Sequence, residues 1–80
     1  MRLQRILRQM LNVRVLFGRR VRELRLRRKW SQEKLAEVCS LHVSYVGGIE
    51  RGQRNVSLVN IIKLVRGLRV TMAELFKGIR

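Results

Sequence analysis

The stretch that decides the fold is residues 31–50, which read SQEKLAEVCSLHVSYVGGIE. Ser31 is placed to cap a helix whose first turn carries Glu33 at the positive end of the helix dipole. This helix is predicted to end at about residue 38 or 39. After a short turn, a second helix is predicted over about 43–50, and Gly52 can adopt the left-handed conformation that ends it. The pattern predicts two short helices joined by a tight turn.

Residue size along these two helices predicts how they pack. Ala36 lies where the helices would cross, and its small side chain lets the two backbones approach. Val46 and Ile49 are three residues apart, so they are predicted to seal the underside of the second helix. The opposite side is predicted to face outwards, and it consists of Val43, Ser44, Gly47 and Gly48.

Helical periodicity continues on both sides of this unit. Two helices are predicted before it: a basic amphipathic one over residues 1–16, with Leu3, Ile6, Leu7, Met10 and Leu11 on its apolar side, and one over 17–28, with Phe17, Val21 and Leu24. Ser57 is placed to cap a helix after the unit, and Thr71 and Glu74 form a capping box for a last helix that ends near Phe76. The prediction is an all-α fold: a compact bundle of about five short helices over 17–77, with the N-terminal extension 1–16.

Charge indicates the kind of partner. The 80 residues contain 19 Lys and Arg against 5 acidic residues, a net charge of +14. Such a surface attracts polyanions, either nucleic acid or an anionic membrane. Most of the basic residues are arginines, whose planar guanidinium suits phosphate and guanine, so nucleic acid is favoured and a membrane is disfavoured.

The composition argues against several other classes. The chain has no Asp, one His and one Cys, which offers no paired acid and base for catalysis and no metal-ligand spacing. We therefore expect neither an enzyme nor a cofactor. No run approaches 18 apolar residues, and the single cysteine favours a reducing cytoplasm.

Several motifs in register resemble the Cro/repressor helix-turn-helix family, also called the xenobiotic-response-element family. They are Ser31 to Ala36, Ile49 to Gly52, Arg54 with Asn55, and Leu68 to Val70. Small restriction-modification controller proteins are the most similar subgroup in appearance. The resemblance implies a transcriptional regulator that binds double-stranded DNA as a dimer, in a bacterial or phage-type cytoplasm at the nucleoid.

The resemblance also implies roles for individual residues. Base edges would be read by Val43, Ser44, Tyr45 and Gly48, and DNA-backbone contacts would be made by Gln32, Arg51, Arg54 and Asn55. Alternatively, the last three form only a solvated turn. Family members pair an arginine with the residue matching Glu50, which selects Arg25 as its ion-pair partner; the alternative is two separately solvated charges.

The dimer surface implied by controller-like relatives lies on the last two helices and would include Val59, Ile62, Leu75 and Phe76. The alternative is that these residues complete the core. Two departures from the family pattern are Ser40 and Arg69, which replace common glycines and are predicted to adopt strained left-handed conformations.

Three further alternatives stay open. Residues 1–16 could be a dimer contact, an arm on the DNA backbone, an added helix without a role of its own, or a surface-binding helix like a mitochondrial presequence. The last of these would make the protein a basic membrane-surface or targeted protein. The domain could also be an antitoxin-like DNA-binding module whose main partner is another protein. No small-molecule effector is evident.

Overall fold

Five helices make up the regular structure of the computed structural model, which describes residues 2–79 and, within them, every side chain except those of 9–12. The helices are α1 (Arg2–Arg27), α2 (Gln32–Cys39), α3 (Val43–Glu50), α4 (Leu58–Leu68) and α5 (Met72–Leu75). The all-α prediction is confirmed. None of these helices, over the described range, combines the length and the apolar character needed to cross a membrane.

Helix α1 differs from the prediction of two separate helices, because it runs unbroken for 26 residues. The chain has no proline, and no capping residue lies between residues 14 and 18 to end a helix there. Gly18 lets α3 approach α1 closely, because a Cβ atom at this position would overlap the carbonyl oxygen of Ile49. Met10 and Leu11, assigned to the apolar side of the N-terminal segment, lie outside the described side chains. The division into an extension and a domain at residue 17 stays a prediction.

The predicted helix caps are confirmed. The hydroxyls of Ser31 and Ser57 accept hydrogen bonds from backbone amides three residues further on, at 3.0 and 3.2 Å. Thr71 and Glu74 exchange the two bonds of a capping box, at 3.0 and 2.9 Å. These bonds hold the pKa of the Glu74 carboxyl below its ordinary value. Local sequence therefore sets where α2, α4 and α5 begin.

The two predicted left-handed residues are also confirmed. Ser40 follows α2 with φ 56°, and Arg69 follows α4 with φ 57°. At Ser40 the reversal lets the amide of Leu41 donate to the carbonyl of Ala36 at 2.8 Å, which closes α2 and starts the turn into α3. The fold keeps a tight turn here without the glycine that such a turn favours.

The core lies between α1 and the other four helices. Its buried apolar side chains are Phe17, Val21, Leu24, Leu35, Ala36, Cys39, Val46, Ile49, Leu64, Leu68 and Leu75. Cys39 behaves as a packing residue, as its position suggests, and burial raises the pKa of its thiol to about 11. This core holds α2 and α3 at a fixed angle, which positions the surface described next.

Candidate nucleic-acid interface

The crossing of α2 and α3 follows the predicted pattern. Ala36 is buried at the contact, and Val46 and Ile49 are almost fully excluded from solvent on the underside of α3. With its apolar side committed to the core, α3 has a fixed outward surface. The geometry is that of a helix-turn-helix unit.

The beginning of α3 presents two of the predicted base-reading residues to solvent. Val43 is 46% exposed and Ser44 is exposed beside it. Tyr45 differs, because its ring packs partly against the core and its hydroxyl accepts a hydrogen bond from Nδ2 of Asn60 at 3.0 Å. The structure therefore leaves Val43 and Ser44 free on this turn and ties Tyr45 to α4.

The predicted exposure of Gly47 and Gly48 is wrong, because both are buried. A Cβ atom on Gly47 would lie 3.0 Å from Nη1 of Arg51, and one on Gly48 would lie 2.9 Å from Nε of Arg54. Long arginine side chains from the following loop fold back over the glycines. The base-reading role of Gly48 thus requires Arg54 to move aside, and it stays a prediction.

The predicted ion pair between Arg25 and Glu50 is present and nearly buried. Nε and Nη2 of Arg25 donate to the two carboxylate oxygens at 2.7 and 2.9 Å, which raises the pKa of the guanidinium. Nη1 of Arg25 donates to the backbone carbonyl of Trp30 at 2.8 Å. The side-chain amide of Gln32 donates through Nε2 to the Glu50 carboxylate at 3.2 Å. Sequence reasoning missed these last two bonds, which depend on how α2 begins. The network joins α1, α2 and the end of α3.

The loop after α3 carries the other predicted DNA-backbone residues, Arg51, Arg54 and Asn55, and all three are exposed. Nε of Arg51 donates to the side-chain oxygen of Gln53 at 3.2 Å. The guanidinium of Arg54 lies 5.5 Å from the ring centre of Tyr45, within cation–π range. The loop therefore places positive charge beside α3. The side chain of Gln32, at the start of α2, lies close to that of Arg51, since a Cβ atom on Gly47 would be 3.6 Å from Oε1 of Gln32 and 3.0 Å from Nη1 of Arg51.

The predicted dimer residues fall into two groups. Val59 is 66% exposed, and Ile62 and Phe76 are partly buried, with the ring of Phe76 5.3 Å from that of Phe17. Leu75 was predicted to contact a partner, but its exposure is 0%, so it completes the core instead. Its single-turn helix is folded inwards against α1, which a helical pattern of only four residues does not reveal.

Comparison with known proteins agrees with this geometry. The profile of the Helix-turn-helix family matches residues 21–75. Control protein C.BamHI of Bacillus amyloliquefaciens is 52% identical over 65 residues, which cover 80% of each chain. Control protein C.MunI of a Mycoplasma species is 41% identical over 69 residues, covering 85% of this chain and 93% of its own. The crystal structure of the restriction-modification controller protein C.AhdI from Aeromonas hydrophila superposes with a TM-score of 0.75 at 60% identity, over 78% of this chain and 94% of that one.

The chain belongs to the helix-turn-helix family of DNA-binding transcriptional regulators. Within that family it is similar to the restriction-modification controller proteins, as the motifs around Glu50 predict. These relatives are control or controller proteins. Among the residues that the structure describes, no three His, Cys, Asp or Glu side chains come together to hold a metal ion.

Proposed function

We propose that the protein acts as a homodimer on an inverted-repeat operator, with one α3 in the major groove of each half-site. The observation that carries this proposal is the solvent-facing turn of Val43 and Ser44, flanked by exposed basic and polar groups and braced from behind by the Arg25–Glu50 pair. One domain of 80 residues offers few contacts with DNA. Two copies related by a twofold axis would read half-sites about one helical turn, roughly 34 Å, apart.

Direct reading of bases is assigned to the first turn of α3. The side chain of Val43 suits the methyl group of a thymine, and the hydroxyl of Ser44 can donate to or accept from a base edge. Tyr45 can reach a base only if its hydroxyl leaves Asn60. Because this set is small, we expect sequence-dependent DNA shape to supply part of the specificity.

Backbone contacts are assigned to the polar side chains around α3. Phosphates would be held by Gln32 at the start of α2 and by Arg51, Arg54 and Asn55 in the loop after α3. Gln32 donates to Glu50 in the free protein, and one amide hydrogen remains to donate to a phosphate oxygen. The anion would then lie beside the end of the Arg25–Glu50 network. We further propose that the protein has no catalytic activity and works in the cytoplasm at the nucleoid, where its DNA target lies.

The test is selection from a random duplex library at about 150 mM salt, followed by footprinting of the enriched sequences. We expect an inverted repeat with half-sites one turn apart. The same selection with Ser44→Ala should change the preferred base at one position in each half-site while leaving the salt dependence intact. Arg66→Ala is a suitable control, because Arg66 lies on α4 in a groove with Trp30 and Lys34, away from the loop.

Tight, salt-sensitive binding without enrichment of any sequence would contradict the proposal, because it would show positive charge acting without base reading. Enrichment of a single half-site bound by one copy would contradict the proposed dimer, but it would leave the assignment of α3 as the base-reading helix in place.

A further inference from the structure

Helix α1 runs alongside the end of α3 and the loop after it, in the opposite chain direction. Arg25 donates to the carboxylate of Glu50, and Gly18 lies against the backbone of the same residue. One turn earlier in α1, Val15 meets the loop: a Cβ atom on Gly52 would lie 2.8 Å from Cγ2 of Val15. Earlier positions of α1 therefore face later positions of the loop.

Arg14 continues this series of contacts. It precedes Gly18 by four residues and Arg25 by eleven, so the three lie on nearly the same side of α1. Arg14 lines one groove together with Arg54 and Asn55. The last two are already assigned to the DNA backbone in the proposed function. Arg14 therefore lies where that set of residues would extend onto α1.

The groove has an apolar floor, to which Phe17 and Ile61 belong, and a polar rim. Arg14 is half-buried beside this floor. An arginine in such a place packs its methylene groups on the apolar surface and keeps its guanidinium in water. Because its stem is already packed, the side chain of Arg14 loses less conformational freedom when the guanidinium binds a partner.

The positive charge of Arg14 is not neutralised by an ion pair among the described side chains. The cations of those ion pairs are Arg20, Arg25, Arg27 and Lys34. The described residues that line the groove include no acidic side chain, although they include the second arginine, Arg54. Two like charges at one rim favour an anion that can interact with both.

We propose that Arg14 binds a phosphate of the DNA backbone, next to the phosphates held by Arg54 and Asn55. Its guanidinium can donate two hydrogen bonds to a single phosphate group. The inference rests on the proposed function and adds α1 to the surface that contacts DNA. It also gives the last turns of the segment 1–16 one of the roles left open by the sequence, that of an arm on the DNA backbone.

The experiment measures how salt affects DNA binding, by fluorescence anisotropy on the inverted repeat enriched by the selection, in a duplex of about 30 base pairs or roughly three turns. Arg14→Gln removes the charge but keeps a long side chain of high helix propensity, so folding is retained and can be checked by circular dichroism. We expect the magnitude of the slope of log affinity against log salt to fall by about 1.8, because each copy of the dimer loses one contact of about 0.9. Arg14→Lys keeps the charge and should keep the slope.

Arg66→Gln is the matched control, because it makes the same change in net charge. Arg66 is an exposed arginine of α4 that lies in a different groove, beside Trp30. The slope of this variant should equal that of the unaltered protein.

Three results would overturn the inference. An unchanged slope in Arg14→Gln, together with a reduced slope in Arg54→Ala, would remove Arg14 from the contact surface and leave the proposed function in place. Equal reductions in Arg14→Gln and Arg66→Gln would assign the effect to net charge alone. A slope reduced as much by Arg14→Lys as by Arg14→Gln would show that the effect does not come from the charge.

Failure of the proposed function gives a different result. If the selection enriches no sequence, the operator is contradicted, and the same variants are compared on a duplex of mixed sequence. A slope reduced by Arg14→Gln but not by Arg66→Gln would then still support the contact between Arg14 and phosphate, and unchanged slopes in both would overturn it.

Discussion

Arg25 in α1 donates to both carboxylate oxygens of Glu50, the last residue of α3, and thereby connects the helix-turn-helix unit to the longest helix. The pair lies almost out of solvent, and Gln32 adds a third hydrogen bond to the same carboxylate. These three hydrogen bonds to the Glu50 carboxylate contribute both to the stability of the fold and to the position of α3.

Removing the Glu50 carboxylate should therefore lower the stability of the fold. In Glu50→Ala, the guanidinium of Arg25 stays buried without its anion, and we expect the free energy of unfolding to fall by about 1 to 3 kcal/mol. Glu37→Ala removes the same charge from an exposed pair with Lys34 and should cost less than about 1 kcal/mol. Urea unfolding of both variants makes the comparison. Equal losses would show that the Arg25–Glu50 pair adds nothing beyond a surface charge.

Two helical glycines should respond in opposite ways to alanine. At Gly18 the new methyl group meets the backbone carbonyl of Ile49, which cannot move without shifting α3, and we expect a loss of about 1 to 3 kcal/mol. At Gly48 it meets only the flexible side chain of Arg54, at 2.9 to 3.0 Å. Alanine also favours helix by about 1 kcal/mol over glycine, so Gly48→Ala should be at least as stable as the unaltered protein. Thermal melting distinguishes the two, and a loss at Gly48 as large as that at Gly18 would show that Arg54 is held rigidly.

Glycine should stabilise the fold at Ser40 and Arg69, two of the three non-glycine residues that adopt the left-handed conformation in the described part of the chain. Ser40→Gly and Arg69→Gly each relieve a residue with φ near 57°, and we expect a gain of about 0.5 to 1 kcal/mol at each site. The control is Ser40→Ala, which keeps a Cβ atom and should gain nothing. Denaturant midpoints measured side by side provide the readout. An equal gain from alanine would assign the effect to the serine hydroxyl rather than to the backbone.

The loop arginines should set the salt dependence of DNA binding. In the proposed dimer, Arg51→Ala and Arg54→Ala should each reduce the magnitude of the slope of log affinity against log salt by about 1.8, because each substitution removes one phosphate contact from each of the two copies and each contact contributes about 0.9. Fluorescence anisotropy over a range of salt concentrations gives the slope. Arg66→Ala, on a different surface, should leave it unchanged. If neither loop variant changes the slope, Arg51 and Arg54 do not contact phosphates.

Cys39 should react with thiol reagents only when the domain opens. Its side chain is buried, and its pKa of about 11 leaves little thiolate at pH 8. Because the folded-state pKa lies above the ordinary value of 9.0, the stability contributed by the neutral thiol declines as pH rises from about 9 towards 11. Iodoacetamide at pH 8 should modify Cys39 slowly and an exposed thiol introduced by Ser44→Cys quickly. Equal rates at the two sites would mean that the core around α2 is open to solvent.

Features encoded by neighbouring residues could be predicted from the sequence. The caps at Ser31, Ser57 and Thr71 depend on hydrogen bonds within one turn, and the left-handed residues depend on their position at the end of a helix. The Arg25–Glu50 pair could be predicted from the family resemblance, although its partners are 25 residues apart in the sequence.

Features that depend on tertiary packing could not be predicted from the sequence. A helical wheel places Gly48 outwards, because it cannot show that the side chain of Arg54 folds back over it. The pattern likewise divides α1 at residue 17, whereas the helix continues through Gly18, where α3 packs closely against it. Leu75 shows the same limit, since only the docking of α5 on α1 decides that it is buried.

The excess of positive charge on this small domain has a consequence for its stability. The chain has nineteen Lys and Arg residues and only five acidic residues, and its described part measures 41 × 24 × 22 Å. Folding brings like charges together, whereas bound phosphates neutralise them, so the folded state is more stable on DNA than in free solution. The surface charge therefore couples folding to DNA binding, because the domain is most stable where a phosphate backbone offsets its own charge.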